Sequence, residues 1–281
     1  MAENDPRVQA AVQRGFDPKD LYEPDITEVS EPTRTILERY SGIPSDQIVA
    51  HICRLRERAF KIYPYVCVGS FAFARTKIQR LPIYPDILER VKRGEKFLDV
   101  GCGFGQELRQ LTWDGAPSEN LYGTDLHLGF IDLGFELFND RNVIKAEFIP
   151  SNLLDDESAL TSKLTGEIDV VYAALVFHHF TWEQQVQVAK RLIGLQRPKE
   201  GAMIVGRTVA YRNLEDLAKA ENVHKLQPFH HDLATWTRLW RAVQEDLGVV
   251  LDLKTWEQSD EWYDKRPGEI SYYLCFSVTR M

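Results

Sequence analysis

The sequence is short of paired cysteines, of basic charge and of long apolar runs, and each shortage removes a class of protein. Its four cysteines, Cys53, Cys67, Cys102 and Cys275, stand far apart with no C-x-x-C pair. Neither a zinc knuckle nor a disulfide framework is expected, and reduced thiols in the cytoplasm fit the pattern. Lysine and arginine number 34 against 42 acids, a net charge of −8. Nucleic-acid binding needs a concentrated positive surface, so no nucleic-acid partner is expected. The densest basic stretch, Arg54 to Lys61, is interrupted by Glu57 and by apolar residues at helical spacing, and reads as a solvated helix face. No run reaches the about eighteen apolar residues of a bilayer span. The N-terminus, "MAENDPRVQAAVQRGFDP", has acids and prolines where a targeting peptide has a basic start and an apolar core. Membrane insertion is therefore not expected either, and no internal repeat is visible.

What remains is a chain of 281 residues, 44% hydrophobic and 11% aromatic, enough for one large core with an appended lobe. Residues 1 to about 32 are rich in Asp, Glu and Pro without a lasting period, which suggests an arm. From there to Arg93 the pattern is helical. Ile48, Ile52, Leu55, Ala59 and Ile62 advance by four and three and mark one buried face, with Ser45 after Pro44 as the expected N-cap. The aromatic stretch at 63–75, with Gly69, Ser70 and Phe71, lines a cavity or packs a core; the pattern permits both.

After residue 95 strand-like and helix-like segments alternate, the pattern of crossover units on a mainly parallel sheet. Strands are expected at "KFLDV", "NLYGTD", "KAEFIP", "IDVVYAALV", "GAMIVGRT", "GVVLDLKTW" and "ISYYLCFSVTR". Between them, Phe130, Leu133, Gly134, Leu137 and Phe138 form one helical stripe, and Trp182, Val186, Ala189 and Ile193 another. The last two strands have no helix-length stripe between them and are expected to pair antiparallel. The division predicted is an arm and helical lobe over 1–93 and an α/β domain over 94–281.

The first strand ends in Asp99-Val-Gly101-Cys-Gly103-Phe-Gly105. Glycines there let a ligand approach the main chain, and the next helix, starting near Gln106 and Glu107, offers free N–H groups. A tight strand-to-helix turn without a ligand has the same look. Twenty residues on, Asp125 ends the next strand in "LYGTDL", the distance at which an acid reaches the hydroxyls of an adenosine ribose.

This acid followed by G-x-G-x-G resembles motif I of the class I S-adenosylmethionine-dependent methyltransferases. The resemblance implies a Rossmann-like, seven-stranded, mostly parallel α/β sheet with a C-terminal antiparallel strand pair, here with an N-terminal helical lobe that covers the substrate. It implies S-adenosylmethionine as cofactor, with Asp99 near its ammonium, Gly101, Gly103 and Gly105 around its amino-acid end, and Asp125 on the ribose between Thr124 and Leu126. "FIPSNLLDDES" places Asn152 and Leu153 at the adenine positions, with Asp155 or Asp156 as alternative partners. "IDVVYAALVFHHF" matches motif IV, which faces the acceptor. More closely, "LYEPD", "VGSFAFAR", "DVGCGFGQELRQL", "GTDL" and "VFHHF" look like the small methyltransferases of fungal meroterpenoid and related secondary-metabolite pathways. That likeness, running nearly end to end, implies methyl esterification of a hydrophobic polyketide-terpenoid acid and a homodimer.

Methyl transfer is an in-line displacement helped by alignment and by stripping water from the nucleophile. A carboxylic acid near pKa about 4 is ionised at neutral pH, whereas a phenol near about 10 must lose its proton on the way. His178 is the candidate base or acceptor-orienting donor, or else a packed histidine. His179, His230 and Trp236, with Ser70 and Phe71 in the lobe, are candidate acceptor contacts. Leu233, Trp236, Leu239 or Trp240, and Val243 also make a helical core stripe, which would bury Trp236 instead. Adjacent histidines seldom chelate one ion and no third ligand has helpful spacing, so no metal is expected. The expected activity is carboxylate O-methylation. Its rivals are hydroxyl or phenol methylation with His178 as base, an isomerase or cyclase that keeps the fold without methyl transfer, and a non-catalytic regulator.

Overall fold

A computed structural model describes residues 22–212, 228–258 and 271–281. Seven strands, β1 (Phe97–Val100), β2 (Leu121–Thr124), β3 (Glu147–Phe148), β4 (Val170–Ala174), β5 (Met203–Tyr211), β6 (Leu251–Gln258) and β7 (Ser271–Arg280), form one sheet in the order β3-β2-β1-β4-β5-β7-β6. β1, β4 and β5 run parallel, and β7 runs against both β5 and β6. The α/β class and the reversed C-terminal strand are as the sequence predicts. The reversed strand is inserted between β5 and β6, so it pairs on both sides. Expected strand "KAEFIP" contracts to Glu147–Phe148.

By compactness the chain divides into residues 1–94 with 102–150, and 95–101 with 151–281. In the first unit, α1 (Ile48–Ile62) buries Ile48, Ile52, Leu55 and Ala59 of the face its periodicity predicts, while Ile62 at its end is only half-buried. Ser45 does not cap it. A 3-10 turn at Ser45–Gln47 precedes the helix, and the Ser45 hydroxyl accepts from Arg34 at 2.7 Å instead. α1 packs on α4 (Leu128–Phe138), where Gly129 makes room for Ile62 and His51 Nε2 lies 3.2 Å from the Leu137 carbonyl. The lobe's helices therefore share a core with Phe104, Phe130, Leu133, Leu137 and Phe138, all beyond the predicted boundary at residue 93. α2 (Tyr84–Lys92) and α3 (Gln106–Trp113) complete this unit.

In the second unit, α5 (Ala159–Leu164), α6 (Trp182–Leu195) and α7 (Leu233–Leu247) accompany the remaining strands. Thr181 and Gln184 form a reciprocal cap on α6, and Asp232 and Thr235 do the same on α7. α6 corrects its predicted stripe: the buried face is Gln185, Val188, Ala189, Leu192 and Ile193, while Trp182 and Val186 are only half-buried. Gln185 is buried because its amide donates to the Phe180 and Phe229 carbonyls and its oxygen meets His231 Nε2 at 2.7 Å. Among the described residues no helix is long and apolar enough to cross a membrane.

Candidate active site

The glycine loop is where the chain passes from the second unit to the first. All three glycines have positive φ, 67° at Gly101, 53° at Gly103 and 66° at Gly105, a region that strains L side chains. Their surroundings differ. A Cβ on Gly101 would stand 2.8 Å from Val176 Cγ2, and one on Gly105 would strike the Arg109 guanidinium and the Phe148 ring. Among the described residues a Cβ on Gly103 would meet nothing within 4 Å. Protein crowding thus accounts for the outer two glycines, and only Gly103 borders open space, which narrows the expectation that the whole turn is bared for a ligand.

Asp125 follows β2 and turns its carboxylate to that opening. Oδ2 accepts from the Gly103 N–H at 2.9 Å and Oδ1 from the His127 N–H at 2.9 Å. A carboxylate offers about four lone-pair sites, so both oxygens keep acceptor capacity for hydroxyls. Burial raises the Asp125 pKa, and the two backbone donors pull it back. Thr124 is fully engaged: its hydroxyl donates to the Ile149 carbonyl at 2.7 Å and its carbonyl accepts from Cys102 at 2.9 Å. The Leu126 side chain beside it is 60% exposed.

The α3 N-terminus has the left-handed Gly105 as cap. The Glu107 carboxylate is buried and accepts from Lys77 N at 3.0 Å and Ile78 N at 2.9 Å, clamping the lobe's connector to the loop helix. Beside Asp125 lies an aromatic group that the sequence indicated only as a stretch. Tyr63 and Tyr65 have ring centroids 4.2 Å apart, and His127 sits 5.4 Å from Tyr63. Burial, then the Asp125 charge, raises the Tyr65 pKa. Tyr63 and Tyr65 belong to the aromatic stretch marked at 63–75, but their grouping with His127 escaped the sequence reading because that closeness is tertiary. Ser70 is buried, and Phe71 is 1% exposed, at φ 58° with its ring 4.2 Å from the Arg56 guanidinium. That leaves Phe71 almost no exposed surface, packed in the core beside Arg56 and Phe73.

In the second unit, Asp99 is buried on β1 in register with Tyr172. Asn152 is exposed, and its Oδ1 accepts from Leu154 N at 3.0 Å, closing a turn around the buried Leu153. Of the alternative acids, Asp155 accepts from Glu157 N at 3.0 Å and Asp156 pairs with Arg191.

Past β4 the chain swerves at Leu175, whose φ of 57° is uncommon outside glycine and costs on the order of 1 kcal/mol or more. Its N–H is held by the Arg207 carbonyl at 2.8 Å. The swerve leads into a 3-10 turn at Phe177–His179. His178 is half-buried, its Nδ1 has no hydrogen-bond partner among the described residues, and the His179 ring lies 4.1 Å away. Burial, followed by His179 and His230, holds the His178 pKa well below 6.5. His179 is solvent-exposed; its pKa is lowered by the protein crowded around it, as is that of the half-buried His230, 5.0 Å from the Tyr211 ring. Trp236, a candidate acceptor contact, has 0% exposure, packed 5.1 Å from Phe177, 5.0 Å from His231 and 4.7 Å from Phe276. It belongs to the core stripe, which starts at Trp236 because Leu233 is 49% exposed.

Two family models match the chain: a meroterpenoid methyltransferase N-terminal domain over residues 21–74 and a methyltransferase domain over residues 97–199. The methyltransferase adrK of Penicillium roqueforti is 49% identical over 276 residues, covering 98% of this chain and 99% of its own length. The asnovolin E/chermesin D methyltransferase nvfJ of Aspergillus novofumigatus is 47% identical, covering 91% of each. Among solved structures, the magnesium protoporphyrin IX methyltransferase of Synechocystis, with bound SAH, superposes at a TM-score of 0.50 with 14% identity, over 100% of this chain and 97% of that one.

Proposed function

The chain belongs to the S-adenosylmethionine-dependent methyltransferases of fungal meroterpenoid pathways, and from that premise we propose that it converts a carboxylate of a hydrophobic meroterpenoid or polyketide-derived acid to its methyl ester. The observation that carries the choice of oxygen is the placing of the His178 ring, half-buried with the His179 ring 4.1 Å away. With its conjugate acid held well below 6.5, it would have to take a proton from a phenol lying more than about three pKa units higher, an unfavourable transfer. A carboxylate needs no such step. Among the described residues the groups acting on the His178 ring are His179 and His230, neither of them a carboxylate that could raise its basicity.

The residues present fit the cofactor. The space over Gly103 admits a ligand that no Cβ blocks, and Asp125 retains acceptor sites for two hydroxyls. When bound, S-adenosylmethionine supplies a methyl group on a positive sulfur. By resemblance, Asp99, Gly101, Gly103, Gly105, Thr124, Asp125, Leu126, Asn152 and Leu153 are the positions that hold it. Thr124 does so through backbone geometry, since its side chain is already bonded. His178 would donate an N–H to the acceptor oxygen and orient one lone pair, with Ser70, His179 and His230 as further acceptor positions. The reading includes a homodimer in the cytoplasm. Its four cysteines are unpaired, as a reducing compartment keeps them, and light scattering on the purified protein checks the dimer.

The test is product analysis by mass spectrometry and NMR after incubation with a meroterpenoid acid and the cofactor. A methyl ester removed by mild alkali is expected; a methyl ether or C-methyl product would reject the reading.

A further inference from the structure

Arg109 lies on the second turn of α3 and is fully buried. A buried guanidinium is costly unless several hydrogen bonds and a counter-charge compensate it. Here its Nε and Nη2 grip the two oxygens of Asp140 at 2.9 Å each, while Nη1 reaches back to the loop carbonyls of Phe104 at 3.1 Å and Gly105 at 3.3 Å. The rings of Phe135, Phe138 and Phe148 surround it at 4.9–5.2 Å. Asp140 is placed by the left-handed Asn139 that ends α4, and its Oδ2 also accepts from the Tyr40 hydroxyl at 2.8 Å. Tyr40 ends the helical turn Ile36–Tyr40, inside the segment that matches the meroterpenoid methyltransferase N-terminal domain.

The same loop residue is held on its other sides. The Phe73 ring stacks on Phe104 at 4.3 Å, and the Phe104 carbonyl lies where a Cβ of residue 134 would be, so α4 carries Gly134 there. Gly105 must be glycine because the Arg109 guanidinium passes over it. These contacts come from the lobe and from α4, and all of them converge on two peptide units next to Gly103.

We propose that Tyr40, Asp140 and Arg109 are positioning residues through which the N-terminal lobe sets the backbone of the cofactor loop at Phe104 and Gly105. None of the three is assigned a contact with cofactor or acceptor; each acts through the next, and the loop's N–H array is what they orient. A fork is needed at the centre, because a lysine can keep the charge but cannot span Asp140 and two carbonyls together. The inference rests on the reading that this loop binds the cofactor.

Tyr40→Phe removes one hydrogen bond to a charged group while keeping the ring. In the full-length enzyme it is expected to weaken cofactor binding by calorimetry about three- to tenfold, with kcat at saturating cofactor and the acceptor KM within twofold of wild type. Arg109→Lys should weaken cofactor binding further, and the double variant should lose less than the product of the two single losses, because the residues act as one chain. A lowered Tm with cofactor affinity unchanged in Tyr40→Phe would show a purely structural network and overturn the proposal, as would strict multiplicativity. If Asp125→Ala also leaves cofactor affinity unchanged, the cofactor-site reading itself fails. If Asp125→Ala abolishes binding while Tyr40→Phe does nothing, only the positioning inference fails.

Discussion

Around the glycine loop the protein pairs its charged groups, whereas around the turn at Phe177–His179 it leaves imidazole nitrogens open. Asp125, Glu107, Arg109 and Asp140 each meet two or more donors or acceptors at about ordinary hydrogen-bond distance, most of them on the backbone. The Nδ1 atoms of His178 and His230 and the Thr208 hydroxyl are buried without a partner among the described residues. A buried donor or acceptor left unmade costs roughly 1–3 kcal/mol; Gln106 Oε1 and His127 Nε2 beside the loop are open among the described residues too, so both regions hold a deficit that a polar ligand can relieve, but only the loop also fixes its charges. The contrast suits a fixed cofactor met by a preorganised floor, and an acceptor that differs between enzymes met by histidines with capacity to spare.

The largest effect is expected of Asp125→Ala. If this carboxylate holds two ribose hydroxyls, each charge-assisted bond contributes about 1.5–3 kcal/mol, and cofactor affinity should drop about a hundredfold or more by calorimetry. Equal affinity in the variant would remove the loop from the cofactor site. The next effect is at Gly134. Gly134→Ala drives a methyl into the Phe104 carbonyl, and backbone cannot yield as a side-chain tip does. A loss on the order of 1–3 kcal/mol is expected by urea titration, with weakened cofactor binding. By contrast, Gly194→Ala in α6 meets nothing within 4 Å, and should stabilise by roughly 0.5–1 kcal/mol because the helix-interior glycine carries an entropic cost.

The neutral histidines of the second unit predict an acid limit on stability. His231 is 1% exposed, and burial, the leading cause, lowers its pKa from 6.5 to about 3. Between those values the unfolded chain holds the proton and the folded chain does not, so stability falls as pH falls below about 6.5 and levels out near pH 3. From pH 7 to pH 5 this one group accounts for on the order of 2 kcal/mol. His231→Gln, which keeps a polar partner for Gln185, should narrow the gap between urea midpoints measured at pH 7 and pH 5; an unchanged gap would mean that His231 ionises in the folded protein.

The sequence carried the frame because the frame is written in periodicity. Apolar runs ending in acids marked β1 and β2, and the face of α1 and the stripe of α4 fell where spacing put them. Polar burial was illegible. Gln185 displaced the predicted α6 face since a glutamine reads as surface until Phe180, Phe229 and His231 surround it. Arg109 and Asp140 drew no notice, for nothing in a spacing of 31 residues shows that both are buried and joined. Glycines at 101 and 105 were visible as glycines, but the bodies they make room for, Val176 and Arg109 with Phe148, come from other elements. At the candidate site, position alone pointed to Asp99, Asp125 and His178, whereas the grouping of His127 with Tyr63 and Tyr65 beside Asp125 needed the fold.

His178→Ala should have the smallest effect and bears most directly on what the open region is for. General-base catalysis typically contributes about 10²–10⁴-fold, so an alcohol- or phenol-directed enzyme should lose at least that much when its base is removed. If the acceptor arrives ionised, the imidazole contributes orientation and one neutral hydrogen bond, worth about 0.5–1.5 kcal/mol, and kcat/KM should fall by less than about tenfold. The pH profile separates the two cases independently of the size of the loss. A base would impose a limb on kcat/KM at its own pKa that vanishes in the variant, whereas a carboxylate acceptor keeps its limb near pH 4–5, about where the acid itself ionises, in wild type and variant alike. The low basicity of His178 follows from burial beside His179 and His230. Opening that turn with a small residue at 179 should raise it without creating a base, because among the described residues no carboxylate acts on the ring.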